Sequence, residues 1–127
     1  MKKLIQTSNL HLSISSLIVV PASFIYGFFP EVFFNVKMNS INENTIFKAL
    51  MGMYLDFATL WLIGILKPNY WKVATIANIL FIAGLGFGRT ISMIVDGMPS
   101  EIFVIGTFGE LVLAIFAFSN LRKFDKK

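Results

Sequence analysis

Three ionisable side chains, those of Asp56, Arg89 and Glu110, stand inside long apolar stretches of this 127-residue sequence. A carboxylate can bind a cation or transfer a proton, and a guanidinium can bind a carboxylate or a phosphate. Charged groups are costly in apolar surroundings unless they are paired, so we expect these residues to face inward and to contact one another. The pattern suggests either a polar binding site or a structural network of ion pairs.

The other chemistry-bearing residues exclude several common kinds of site. The sequence has no cysteine, which excludes disulfides, thiolate metal sites and a cysteine nucleophile. Its one histidine, His11, cannot form a multi-histidine metal site and is expected at the cytoplasmic edge of a helix. The run "GLGFG" follows no predicted strand, so it does not indicate a nucleotide-binding loop. We therefore predict no metal, no cofactor and no catalytic residue.

The composition indicates that the chain is surrounded by lipid. Hydrophobic residues make up 56% of it and charged residues only 14%, whereas about 25% is usual in soluble domains. So few polar residues cannot cover the surface of a soluble domain of this size. The lipid bilayer is the expected partner, and residues 1–127 are expected to form a single integral membrane domain.

Four apolar segments are long enough to cross a bilayer, which takes about 20 residues. The predicted spans are residues 10–29, 46–66, 71–95 and 101–121. The connectors "KPNYW" and "DGMPS" are short, so successive helices are antiparallel. Asn44 or Thr45 is expected to cap the second span, and Gly97 and Ser100 are expected to separate the last two. The sequence thus predicts an all-α, four-helix transmembrane bundle.

The basic residues favour one orientation of this bundle. Eight lysine and arginine side chains fall on the same side of the membrane if both termini are cytoplasmic: Lys2, Lys3, Lys67, Lys72, Arg122, Lys123, Lys126 and Lys127. The positive-inside rule therefore predicts cytoplasmic termini and a multi-pass location in the cell (inner) membrane. The net charge of +4 then reflects topology and attraction to anionic headgroups, and no nucleic acid is implied.

The charges inside the spans are predicted to lie at similar depths. At 1.5 Å per residue, Asp56 lies roughly 15 Å, Glu110 roughly 13 Å and Arg89 roughly 9 Å from the outer end of its span. Lys48 lies closer to the outer interface, where its ammonium group can extend toward the headgroups. We therefore predict an outward-facing site formed by these four residues.

Helical spacing places small and polar residues beside the predicted site. The polar residues expected to support it, or to cap a helix, lie along the third span: Asn78, Ser92 and Asp96. Small residues let helices approach closely within lipid. On that ground, four glycines are predicted to pack against neighbouring helices: Gly52, Gly84, Gly88 and Gly106.

Three segments of the sequence resemble a known family. "FKALMGMYLDFATLW", "GRTISMIVDGMPS" and "GELVLAIFA" are similar to the domain-of-unknown-function 4345 family, small bacterial membrane proteins expected to have four helices. The most specific element is the pattern GR-x-x-S-x-x-x-D-G-x-P-S at residues 88–100. Family members often have arginine where this chain has Lys48, which keeps the charge but loses bidentate geometry. The resemblance implies the fold and the choice of site residues, but no activity.

Three functions remain as hypotheses. The leading one is binding or transport of a small anionic or zwitterionic solute, or of a lipid headgroup, and transport would need a dimer or larger assembly at this chain length. The second is a structural or accessory role, in which ion pairs fix the helix packing and a second copy or a membrane partner subunit docks. The third is an intramembrane enzyme using Asp56 or Glu110 as an acid or base, for which no nucleophile–base pair is present.

Overall fold

The computed structural model describes residues 2–34 and 36–125. These residues form α-helices and two short 3-10 turns, with no β-strand among them. The α-helices are α1 (Lys2–Ile5), α2 (Leu10–Phe28), α3 (Pro30–Phe34), α4 (Ile41–Leu66), α5 (Trp71–Val95) and α6 (Glu101–Phe124). The helices α2, α4, α5 and α6 are long and apolar enough to cross a membrane. The predicted four-helix transmembrane bundle is confirmed.

The start of α4 differs from the predicted one. The helix begins at Ile41 because Ser40 occupies the N-cap position, and the Ser40 hydroxyl accepts a hydrogen bond from the Glu43 amide at 3.2 Å. The Glu43 carboxylate in turn accepts from the Asn39 amide at 2.8 Å. Exchanges of this kind satisfy amides that a helix N-terminus leaves without partners. The predicted caps, Asn44 and Thr45, lie inside the helix instead.

The connector between α5 and α6 turns where the sequence predicts, although the Ser100 side chain does not cap α6. Gly97 has a φ of +101°, a left-handed backbone conformation that glycine adopts without steric cost. Ser100 then takes the N-cap position of α6, where its carbonyl accepts from the Phe103 amide at 3.0 Å while its hydroxyl caps nothing. This tight reversal makes α5 and α6 an antiparallel pair.

The four long helices pack in chain order, α2 against α4, α4 against α5 and α5 against α6. At Gly64, any side chain would collide with the Ala74 methyl group, so this glycine permits the close approach of α4 to α5. Gly86 does the same for α5 and α6, since a Cβ there would lie 2.9 Å from the Leu111 side chain. We call the end of the bundle that holds Leu10 the terminal end and the opposite end the distal end.

The core contains aromatic rings at its centre and the outside is apolar. Trp61 is fully buried, and the Phe81 ring lies 5.2 Å from the Trp61 ring and 5.0 Å from the Tyr54 ring. Large apolar side chains are also widely exposed, including Leu80 at 68% and Ile115 at 70%. Such a surface suits lipid tails rather than water.

Candidate functional site

An apolar groove lies between α2 and α6 above a floor formed by α5. The two outer helices meet at the terminal end, where Asn120 of α6 contacts His11 of α2, and they contact each other sparsely elsewhere. The groove has a volume of about 750 Å³. Apolar residues from both helices line it, among them Ile18, Val19, Ala22, Ile105, Val112 and Phe116.

An ion pair stands at the distal half of this groove. Arg89 Nη1 lies 3.0 Å from Glu110 Oε2, and the side chains are only 25% and 16% exposed. Arg89 Nη2 donates to the Tyr26 hydroxyl at 2.9 Å. The three residues come from α5, α6 and α2, and all three line the groove. The Arg89–Glu110 ion pair and the Tyr26 hydroxyl therefore form part of the wall of an otherwise apolar groove.

Aromatic rings hold the Tyr26 side chain in place. The Tyr26 ring lies 4.8 Å from the Phe34 ring and 5.4 Å from the Tyr54 ring. Phe103 lies 5.3 Å from Phe34 and also faces the Arg89 guanidinium, whose Cζ is 5.9 Å from the ring centroid. Contacts of this kind favour both ring packing and a cation over a ring face. They restrict the tyrosine to a position where its hydroxyl meets the arginine.

The Glu110 carboxylate is only partly used by the protein. Its Oε2 contacts Arg89, while its Oε1 is shielded from solvent and has no hydrogen-bond partner within residues 2–34 and 36–125. A buried oxygen of this kind normally has a donor. The site therefore combines a guanidinium with a carboxylate oxygen that can still accept a hydrogen bond.

Lys48 lies apart from this pair. Its ammonium donates to the Gly27 carbonyl at 3.0 Å and lies 5.4 Å from the centroid of the Phe28 ring. A cation at this position satisfies one of the last carbonyls of α2 and complements the helix dipole. Lys48 thus caps α2 and does not line the groove.

Asp56 also lies apart, because the predicted inward face of α4 points outward. The buried residues of α4 are Tyr54, Ala58, Trp61, Gly64 and Ile65. Asp56 is exposed on the opposite side of the helix, and no hydrogen bond or ion pair joins it to another described residue. The structure therefore brings together two of the four predicted charges.

The predicted supporting residues divide between two places. Ser92 donates to Asp96 Oδ2 at 2.9 Å, and both are exposed at the distal end of α5, where Asp96 follows the last helical residue. Asn78 is fully buried near the middle of the bundle, and neither of its amide atoms has a partner among the described residues. None of the three contacts the ion pair.

The predicted packing glycines meet fewer neighbours than expected. A Cβ at Gly106 would lie 3.4 Å from Arg89 Nη1, so this glycine does face the ion pair. A Cβ at any of the others would meet nothing within 4 Å: Gly52, Gly84 and Gly88. Within one chain these three do not mediate helix contact, because larger residues on the opposite faces of α4 and α5 form the core.

A buried polar network at the terminal end was not predicted. His11, expected at a helix edge, is 0% exposed. Its Nε2 lies 3.0 Å from Thr75 Oγ1, and its Nδ1 lies 3.0 Å from the Asn120 amide nitrogen. Asn120 also donates to the Thr7 carbonyl at 2.7 Å. His11 does lie at the edge of a helix, as the second residue of α2, but the expectation that it is an interfacial residue was wrong because side chains of α5 and α6 enclose its ring.

The same contacts determine which nitrogen of His11 carries the proton. The Thr7 carbonyl can only accept, so the Asn120 atom that faces it is the amide nitrogen. That nitrogen also faces His11 Nδ1, which must therefore accept, and Nε2–H donates to Thr75. One sequence signal could have predicted that Asn120 is buried. It follows Ala114 and Ala117 at three-residue spacing, and these small residues lie on the buried face of α6.

Nothing in the described residues resembles a metal site, since no group of three or more histidine or acidic side chains occurs there.

A family model described as "Domain of unknown function (DUF4345)" matches residues 7–121. No curated protein and no solved structure matches the sequence significantly.

Proposed function

We propose that this chain, which belongs to the DUF4345 family of domains of unknown function, binds the anionic or zwitterionic polar group of a membrane amphiphile at Arg89 and Glu110. The hydrocarbon tail of the ligand lies in the groove between α2 and α6. The proposal is a binding function within the membrane, and it rests on the ion pair forming part of the groove wall.

The shape of the groove supports a ligand with a tail. Its α6 wall runs from Ile102 to Phe116, which is about 21 Å of helix. Half of a bilayer's hydrocarbon core is roughly 15 Å thick, so a lipid chain can be accommodated along this wall. A groove lined by apolar residues with a few convergent polar groups is typical of ligand sites.

The polar atoms support a charged or zwitterionic headgroup. The Arg89 guanidinium has more donors than its contacts with Glu110 and Tyr26 use, and it can bind a carboxylate or phosphate oxygen. Glu110 Oε1 can accept from a ligand hydroxyl or ammonium group. A ligand that carries both kinds of group would complement both residues.

A structural role is the second candidate, and the direct 3.0 Å contact between Arg89 and Glu110 favours it. In that case the pair fixes the register of α5 against α6 and the groove holds ordinary bilayer lipid without selectivity. The two functions differ in one measurable property, which is whether binding depends on the ligand's charge.

Headgroup recognition is tested by displacement of a fluorescent polyene fatty acid from the purified protein in detergent. Oleate and lysophosphatidylcholine are expected to displace it about tenfold better than oleyl alcohol, a difference of about 1.4 kcal/mol. Arg89→Gln should remove that preference, whereas Arg122→Gln, at an exposed arginine in the last turn of α6, should keep it. Equal displacement by all three ligands, or an unchanged preference in a folded Arg89→Gln variant, contradicts the proposal.

The position of the tail is tested separately by filling the groove. Gly109 lines the groove and a Cβ there meets nothing within 4 Å, so Gly109→Leu adds bulk without a clash in the bundle. We expect weaker binding of oleate to Gly109→Leu and unchanged binding to Gly88→Leu, an equally open glycine outside the groove. If oleate binding survives Gly109→Leu while acetate competes for the site, the ligand is a small solute rather than a lipid.

A further inference from the structure

Asp56 lies near the middle of the longest transmembrane helix. Helix α4 runs from Ile41 to Leu66, so Asp56 is about 22 Å from its distal end and about 15 Å from its terminal end. An aspartate side chain is too short to reach either membrane interface over such distances. Its carboxyl group is exposed on the outside of the bundle and therefore faces lipid in a single chain.

The surface around Asp56 is shaped for close contact with another helix. Ala49, Gly52 and Thr59 share its face at spacings of three and four residues. A Cβ at Gly52 meets nothing within 4 Å, so the backbone is accessible from outside. The Thr59 hydroxyl donates its proton to the Leu55 carbonyl at 2.8 Å, so it is satisfied within its own helix. We call Ala49, Gly52, Asp56 and Thr59 the α4 outer face.

The Asp56 carboxyl group has no ion-pair or hydrogen-bond partner within residues 2–34 and 36–125. A charged side chain inside a membrane is costly and is normally paired. Among the described residues, the cations nearest in depth are already engaged, Arg89 by Glu110 and Tyr26 and Lys48 by the Gly27 carbonyl. A cation that pairs with Asp56 at this depth therefore has to come from outside the described residues.

A second copy of this chain is a poor binding partner for the α4 outer face. Symmetric copies in one membrane share the same depth, so Asp56 would meet the partner's own carboxylate or an outward face near that depth. The exposed faces of the other helices there carry apolar residues, such as Leu80 on α5 and Ile115 on α6. None of these apolar residues offers a cation, and two Asp56 carboxyl groups that face each other pair only by sharing a proton.

We propose that the α4 outer face docks a transmembrane helix of a different membrane protein, one that presents a lysine or arginine at mid-depth to Asp56. Small residues at Ala49 and Gly52 allow the two backbones to approach, and the ion pair supplies specificity. This docking surface lies across α4 from the core and shares no residue with the groove. It goes beyond the proposed ligand binding and does not depend on it.

The test uses synthetic transmembrane peptides in phosphatidylcholine vesicles. One peptide is a leucine–alanine helix with a central arginine and an acceptor dye, and the other has leucine in place of the arginine. The donor dye is attached through Asn69→Cys, since the chain has no other cysteine. We expect energy transfer to the arginine peptide at about tenfold lower peptide concentration than to the leucine peptide.

Two pairs of variants establish where the peptide binds. Asp56→Asn should weaken binding of the arginine peptide to the level of the leucine peptide. Asp96→Asn, at an exposed aspartate beyond the end of α5, should leave binding of the arginine peptide unchanged. Gly52→Leu should block both peptides, while Gly84→Leu, an open glycine on α5, should leave binding intact. Circular dichroism and fatty-acid displacement are measured on each variant, so a folding defect or a failure of the ligand site is seen separately.

Three results would overturn the proposal. The first is that the arginine peptide binds Asp56→Asn as well as the parent. The second is that neither peptide binds a folded parent protein. The third is that donor- and acceptor-labelled copies of the chain associate through Asp56 with no response to the arginine peptide, which would assign this face to a second copy.

Discussion

At the scale of single residues, Arg89 contacts two partners that differ in chemistry. Glu110 neutralises its charge at 3.0 Å, and the Tyr26 hydroxyl accepts a second hydrogen bond at 2.9 Å. Each partner comes from a different helix, so one guanidinium joins α2, α5 and α6. This explains how a charge can persist inside an apolar bundle, because both groups would be far more costly if either were alone.

Replacing one member of the Arg89–Glu110 pair should lower the free energy of unfolding more than replacing both. Arg89→Met leaves the Glu110 carboxylate without its cation, and we expect a loss of roughly 3–5 kcal/mol in the free energy of unfolding. Arg89→Met/Glu110→Met should recover most of that loss. Unfolding in increasing sodium dodecyl sulfate, followed by circular dichroism, measures both variants. A double variant no more stable than the single one would contradict this expectation.

The His11 network makes a second prediction at this scale. Asn120→Leu removes the donor to both the Thr7 carbonyl and His11 Nδ1. Buried acceptors without donors should lower the free energy of unfolding by about 1–3 kcal/mol. Ser119→Leu is the control, since Ser119 is the exposed neighbour on the same helix. The same unfolding assay applies, and equal stability of the two variants would show that the network contributes nothing measurable.

At the scale of elements, α4 shows how a transmembrane helix chooses its inner face. Tyr54 and Trp61 face the core, while Asp56 and Thr59 face outward. In water the polar face of a helix is the exposed one, but in lipid a carboxylate is expected to turn inward. Aromatic packing against Phe81 is the stronger constraint here, because it fills the centre of the bundle. The outward carboxylate is the consequence.

Close helix approach at Gly64 can be tested with the smallest possible change. A Cβ at Gly64 would collide with the Ala74 methyl group, so Gly64→Ala should force α4 and α5 apart. We expect a loss of about 1–3 kcal/mol in the free energy of unfolding, as is typical of overpacking. Gly84→Ala has open space and should change stability by no more than about 1 kcal/mol. Similar effects at both glycines would contradict the close approach.

At the scale of the whole molecule, the bundle is open on one side. α2 and α6 are the first and last long helices, and they contact each other sparsely except near the terminal end, where Asn120 contacts His11. The groove between them faces the surrounding lipid and carries the ion pair in its wall. Under the proposed function, a ligand from the bilayer would enter sideways without crossing a membrane interface.

The orientation of the bundle remains a prediction, and the absence of cysteine makes it easy to test. Cytoplasmic termini place Asn69 inside the cell and Met98 outside it. A membrane-impermeant maleimide should label Met98→Cys in intact spheroplasts and Asn69→Cys only after the membrane is permeabilised. Both residues are exposed, so buried position would not explain a failure to label. The reverse pattern would show that the termini are outside.

Some features of this protein follow from local sequence alone. The four apolar stretches determine four spans, because a bilayer requires about 20 apolar residues in each. The left-handed Gly97 and the short connectors then make neighbours antiparallel. Given that arrangement, the contact of Arg89 with Glu110 follows from matched depths on successive helices, and the structure contains it. The prediction that Asn44 or Thr45 caps α4 was wrong. Several polar residues in this segment can act as an N-cap, and Ser40 is the one that does.

Tertiary structure alone decided which face of each helix is buried. Helix α4 is apolar on nearly all sides, so its periodicity does not distinguish the Asp56 face from the Trp61 face. Packing made that choice and moved Asp56 and Lys48 away from the ion pair. It also enclosed His11 and opened the groove between α2 and α6. These features depend on how distant segments fit together, and hydrophobicity along a single helix carries no information about its neighbours' shapes.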